Sequence, residues 1–181
     1  MTNIRKFSAS AAVVVAMSLG AVSVAGAAPA AHRSVAPHAA KTVSFNGNYS
    51  GTIALLISGT KVTASSVKGT GTASLLGKST MTGTGTSSAA ATCDALSGTG
   101  SLVGSGSKLT LKINAGSKGC GSYPAPTTVK VTGTAKVLSG LGKYKGATGT
   151  LTFSGSFTLP SSTKGSTDKF TAKLSGKLTV K

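Results

Sequence analysis

The sequence predicts an all-β protein, a small antiparallel β-barrel of about eight strands, and three observations carry that expectation. Apolar and polar residues alternate with a period of two in segment after segment. Turn-forming residues recur every ~10–15 residues, and glycines stand inside the alternating runs.

The alternation is plainest at the C-terminus. Phe170, Ala172, Leu174, Gly176, Leu178 and Val180 share one face, opposite Lys169, Lys173, Lys177 and Lys181. A helix would need spacings of three and four, which this segment lacks. Upstream, Leu109, Leu111 and Ile113 alternate with Lys108, Thr110 and Lys112. Val129, Val131, Gly133, Ala135 and Val137 alternate with Lys130, Thr132, Thr134 and Lys136. Leu151, Phe153, Gly155, Phe157 and Leu159 share a face opposite threonines and serines. Thr suits these positions because its branched Cβ fits the pleat.

Turns are expected at Asn46-Gly47, Ser58-Gly59, Gly104-Ser105-Gly106, Ser139-Gly140 and Lys164-Gly165. The strand glycines Gly71, Gly83, Gly98, Gly133, Gly155 and Gly176 weaken a flat sheet and suit strands that bend and coil. Closure into a barrel also removes open edges, which favours it over the alternative, a β-sandwich. A lipid-embedded barrel would need an apolar outer face with aromatic girdles, whereas lysines line one face of strand after strand here.

Residues 1–27 read as a signal peptide. Arg5 and Lys6 form the basic region, an apolar stretch runs from Ala9 to Val24, and Ala25-Gly26-Ala27 offers small residues for cleavage. An Ala/Pro-rich disordered linker is expected over 28–41, and the barrel domain over 42–181. The expected localisation is secreted, with no transmembrane segment in the mature form. The only cysteines, Cys93 and Cys120, form a disulfide in an oxidising compartment, closing a loop of about 27 residues.

The chemical inventory is narrow. The chain has no Glu, two Asp (Asp94 and Asp168) and two His (His32 and His38), both in the linker. General acid–base catalysis, metal ligation and nucleophile activation draw on these residues, so no catalytic residue, metal site or cofactor is assigned. The charge is strongly positive, +17 for the whole chain and +15 once Arg5 and Lys6 leave with the leader. It is almost all lysine, which gives a diffuse field rather than planar recognition of phosphate or base, so no specific nucleic-acid recognition is expected. Lys112, Lys130, Lys169, Lys173 and Lys177 are candidates for a basic surface facing an anionic polymer.

Two stretches resemble secreted bacterial proteins of the allene oxide cyclase/dirigent-like β-barrel superfamily. Ser139-Gly140-Leu141-Gly142-Lys143-Tyr144-Lys145-Gly146-Ala147-Thr148-Gly149-Thr150 is similar to a G-x-G-[KR]-[FY]-x-G-A-x-G turn-and-strand signature. Gly71-Thr72-Ala73-Ser74-Leu75-Leu76-Gly77-Lys78-Ser79-Thr80 is similar to G-x-A-T-H-L-G-K-x-T, with Ser74 and Leu75 in place of Thr and His. The resemblance implies an eight-stranded barrel whose interior holds a small apolar ligand. It carries no catalytic residue over, since such chemistry relies on acidic groups inside the barrel. For Lys143 and Tyr144 two roles stay open: a turn that closes the barrel, or the mouth of a pocket.

Three functions follow as expectations. The first is an exported, non-catalytic barrel binding a small apolar ligand or a surface polymer. The second is a cyclase/isomerase-type enzyme acting by positioning alone. The third is binding of a polyanion (cell-wall polymer, anionic lipid or extracellular nucleic acid) by the lysine faces.

Overall fold

The computed structural model describes residues 39–122, 126–159 and 166–181. The expected leader, all but the last three residues of the linker and the expected Lys164-Gly165 turn lie outside them. Nine strands follow one another: β1 (Lys41–Ser58), β2 (Lys61–Ala73), β3 (Gly77–Ser88), β4 (Cys93–Gly104), β5 (Ser107–Ile113), β6 (Lys118–Cys120), β7 (Thr127–Leu141), β8 (Thr148–Leu159) and β9 (Ser166–Val180). A short 3-10 turn, Gly142–Tyr144, joins β7 to β8.

All pairings are antiparallel, and they close on themselves. Each strand from β1 to β4 pairs with the next, β5 pairs with β7, and β7, β8, β9 and β1 complete the ring. The three-residue β6 pairs with both β4 and β7 beyond the end of β5, so β5 and β6 make one stave in two pieces. The result is a closed eight-stave barrel, which decides between barrel and sandwich.

The period-two pattern points inward as the residues dictate. On β9, Phe170, Leu174 and Leu178 are buried while Lys169, Lys173 and Lys177 are exposed. Between β5 and β6 the chain dips into the barrel at Ser117, which is almost wholly buried. Its hydroxyl donates to the Thr134 carbonyl and accepts from the Thr134 N–H. A Cβ on Gly133 would overlap this serine, so the glycine makes room for the dip. Register shifts at Ala54/Leu55, Ala64/Val67 and Thr110/Leu111 are the bulges that let long strands curve around the axis.

Turns form at Ser58-Gly59 and Gly104-Ser105-Gly106, where Gly59, Ser105 and Gly106 take φ of 57°, 48° and 69°. Two other expected turns are corrected. Asn46-Gly47 lies inside β1, paired with Ala73 and Ser74 on one side and with β9 on the other. Gly47 is there because the Phe45 and Tyr49 rings cover it, leaving no space for a side chain. Ser139-Gly140 belongs to the end of β7, and the reversal comes after it, at Gly142 and Gly146 with φ of 66° and 72°.

Cys93 and Cys120 form the expected disulfide. They are direct cross-strand partners on β4 and β6, with Cα atoms 4.0 Å apart. β6 is too short to hold its place by pairing alone, so the bridge fixes the shorter piece of the split stave. Replacing both cysteines, Cys93→Ser with Cys120→Ser, is expected to cost about 3.5 kcal/mol, the chain-entropy value for a loop of this size. Urea unfolding of the double variant against the parent measures it, and equal midpoints would contradict it.

Candidate functional site

One end of the barrel is filled. Phe45, Tyr49, Leu76, Leu102, Leu109, Leu151 and Leu178 meet there as the main core cluster, and turns fold over them. The Tyr144 hydroxyl donates to the Leu75 carbonyl, the Ser105 hydroxyl donates to the Leu76 carbonyl at 2.9 Å, and the Lys143 N–H donates to Ser107 Oγ at 3.2 Å. The two stretches singled out in the sequence, 71–80 and 139–150, thus meet directly across this end. Tyr144 is half-buried against the core, Lys143 is exposed, and neither lines the two cavities described next.

Above the filled end lies a cavity of about 210 Å³. Its shape follows from the order of staves. β3 and β4 stand diametrically opposite β8 and β9 in the ring. On the β8–β9 side the wall carries Phe153, Phe157, Phe170, Ala172 and Leu174. On the β3–β4 side Met81, Ser87, Leu96 and Leu102 stand toward the ends with Gly83, Gly85 and Gly100 between them, so bare peptide backbone bounds the middle of this wall. Ile113 lies against Gly98, in line with these glycines. Aliphatic residues such as Leu55, Val67 and Val131 complete a lining with almost no polar surface.

A second, smaller cavity of about 60 Å³ adjoins the first at the open end and shares Val62, Ser87, Leu96, Val131 and Phe157 with it. Here the lining turns polar, with Thr92, Asp94, Ser122 and Thr127. Asp94 Oδ2 accepts a hydrogen bond from the Ala91 N–H at 2.9 Å, which shapes the turn between β3 and β4. The second carboxylate, Asp168, lies opposite Ile53 near the start of β9 and lines neither cavity; its Oδ2 is buried with no partner among the described residues. Among the described residues, no group of three or more His, Cys, Asp or Glu is placed to hold a metal ion.

The lysines proposed as a basic surface all lie outside. Lys112, Lys130, Lys169, Lys173 and Lys177 are exposed, and Lys112 faces Lys136 directly across the β5–β7 ladder. Like charges so placed repel, and no acidic side chain stands between them. Lys173 and Lys177 extend a mixed hydroxyl and lysine face across β8, β9 and β1, where their cross-strand partners are Ser154, Thr150, Asn48 and Ser44.

The sequence reading put Phe153, Phe157 and Phe170 on apolar faces and noted Gly83, but it assigned none of them to a cavity and did not single out Gly85 or Gly100. Their signal was present: Thr82-Gly83-Thr84-Gly85-Thr86 and Ser97-Gly98-Thr99-Gly100-Ser101 alternate glycine with hydroxyl residues on two successive strands. Such a pair of runs places glycine, rather than a filling side chain, on one continuous inner wall.

No family model matches the chain, and neither a curated protein nor a solved structure is found to be similar to it. Fold and site define a class: a closed eight-stave antiparallel barrel, disulfide-linked, filled at one end and hollow and apolar toward the other. No helix among the described residues is long and apolar enough to cross a membrane.

Tyr49 anchors the floor beneath the cavity. It is buried, and its hydroxyl shares a hydrogen bond with Ser79 Oγ at 2.9 Å. Burial pushes the phenol above its ordinary value of 10.0, with the Ser79 bond pulling weakly the other way. The folded state therefore holds this proton more tightly than the unfolded chain does. The stability Tyr49 contributes is full below pH 10 and falls as the pH rises beyond it toward the raised value. Tyr49→Phe is expected to lose about 1 kcal/mol at neutral pH by orphaning Ser79. Its disadvantage should shrink as pH climbs past 10, which paired denaturation series at stepped pH will show; a constant difference would contradict the assignment.

Proposed function

We propose that this is an exported, non-catalytic barrel that carries a small apolar molecule in its interior. The observation that carries the reading is the apolar cavity between the glycine wall of β3–β4 and the phenylalanines of β8–β9. A cavity of 150 Å³ lined by Leu, Ile and Phe stays dry and takes up benzene, so about 210 Å³ of similar lining suits an apolar body of roughly ten heavy atoms. Desolvation supplies the affinity, and a hydrocarbon wall holds such a ligand without acting on it.

Export rests on the leader-like residues 1–27 and agrees with the disulfide, which persists in oxidising compartments. The likeness of 71–80 and 139–150 to the allene oxide cyclase/dirigent-like barrels supports the same reading. In this chain those stretches form one unit, joined by the Tyr144–Leu75 hydrogen bond, that closes the barrel beneath the cavity.

Titration of the purified protein with naphthalene tests the proposal. One equivalent is expected to bind, and Ala172→Phe or Val67→Phe, each adding a ring from a different wall, should weaken binding by about tenfold or more. Absence of binding to the parent protein, or undiminished binding to both filled variants, would overturn it.

A further inference from the structure

The charges of this chain are segregated in a way that bears on the ligand. Nineteen Lys and Arg stand against two Asp, yet among the described residues no lysine lines either cavity. The one charged side chain that does is Asp94, in the lining of the small cavity that adjoins the large one at the open end. The opening thus carries an acidic side chain in its lining, although the surface around it is basic.

Three of the rim hydroxyls already make hydrogen bonds within the protein. Ser87 Oγ donates to the Ala95 carbonyl at 2.9 Å, Ser88 Oγ accepts from the Ala90 N–H at 3.1 Å, and Thr127 Oγ1 accepts from the Ser122 N–H at 3.2 Å. Asp94 spends only Oδ2 within the protein, on the Ala91 N–H, and Oδ1 makes no hydrogen bond among the described residues. Phe157 lines both cavities, and an aromatic ring attracts a cation to its face. An apolar body seated between the glycine and phenylalanine walls would therefore present its polar end to a carboxylate and a ring.

Resting on the apolar-ligand reading, we infer that the ligand is a small apolar amine: its hydrocarbon part fills the large cavity and its ammonium group meets Asp94 at the rim. An anionic ligand of the same shape, such as a carboxylate, would meet the Asp94 charge in a partly dehydrated opening with no described cation to answer it. The +15 field of the mature chain draws anions to the outer surface, so selection of an amine would run against the bulk charge.

Three probes of one size separate the cases: 1-naphthylmethylamine, 1-naphthylmethanol and 1-naphthoate, titrated calorimetrically at neutral pH and 150 mM salt, where the surface field reaches only ~8 Å. The parent protein is expected to bind the amine about fivefold more tightly than the alcohol and to bind the carboxylate most weakly. Asp94→Asn keeps an oxygen for the Ala91 N–H and so preserves the turn. It should bring the amine down to the affinity of the alcohol and leave the alcohol unchanged. A carboxylate that binds as tightly as the amine, or an amine affinity untouched by Asp94→Asn, overturns this inference while the apolar-ligand reading stands. Failure of all three probes, the neutral alcohol included, overturns both.

Discussion

In the middle of the β3–β4 ladder a side chain on the inner face would strike the opposite backbone. A Cβ placed on Gly83 would stand 2.9 Å from the Thr99 carbonyl oxygen, one on Gly85 the same distance from that of Ser97, and one on Gly100 2.8 Å from that of Thr82. Real Cβ atoms do not approach carbonyl oxygens so closely, so glycine is required at this seam. The seam is one of the ladders that close the ring, through the pairing of Ser79–Ser87 with Leu96–Gly104. Closure and hollowness thus share one cause. The residues that let the strands meet are those that leave the wall bare and the interior unfilled.

The remaining features follow from that geometry. With one wall bare, core packing concentrates at the end where Phe45, Leu76, Leu109, Leu151 and Leu178 converge. A second apolar cluster of Ile53, Leu55, Val62, Leu159 and Phe170 lies toward the other end, and the cavity is lined by members of both. The turns over the filled end are held by Tyr144, Ser105 and Ser107, whereas the disulfide braces β4 and β6 at the open end. Lysine takes the outer positions because its long stem and charged head suit solvent. With two Asp in the chain, the repulsion between neighbours such as Lys112 and Lys136 goes largely unanswered.

Much of this was legible in the residues. The even-numbered apolar set of Phe170–Val180 faces inward as its period requires, and the strand glycines signalled coiling and closure. The cysteine pair was readable from number and context. The misplaced turns show where local signals mislead. Asn46-Gly47 is a strong hairpin dipeptide, but its glycine answers to crowding by Phe45 and Tyr49 rather than to a positive φ. The cavity was harder to see because alternation assigns residues to the inner face without saying which face each strand opposes. Only the ring order sets Gly83 and Gly100 across from Phe153 and Phe157, and only the β3–β4 turn brings Asp94 to the rim.

The central claim, that glycine on β3–β4 leaves a dry apolar space facing the phenylalanines of β8–β9, is tested most directly by diffraction from crystals of the protein pressurised with xenon. Xenon enters empty apolar cavities and needs no hydrogen-bonding partner. The account predicts xenon density between Gly83, Gly85 and Gly100 on one side and Phe153, Phe157 and Phe170 on the other. An interior in which these walls meet, with no xenon between them, would contradict it.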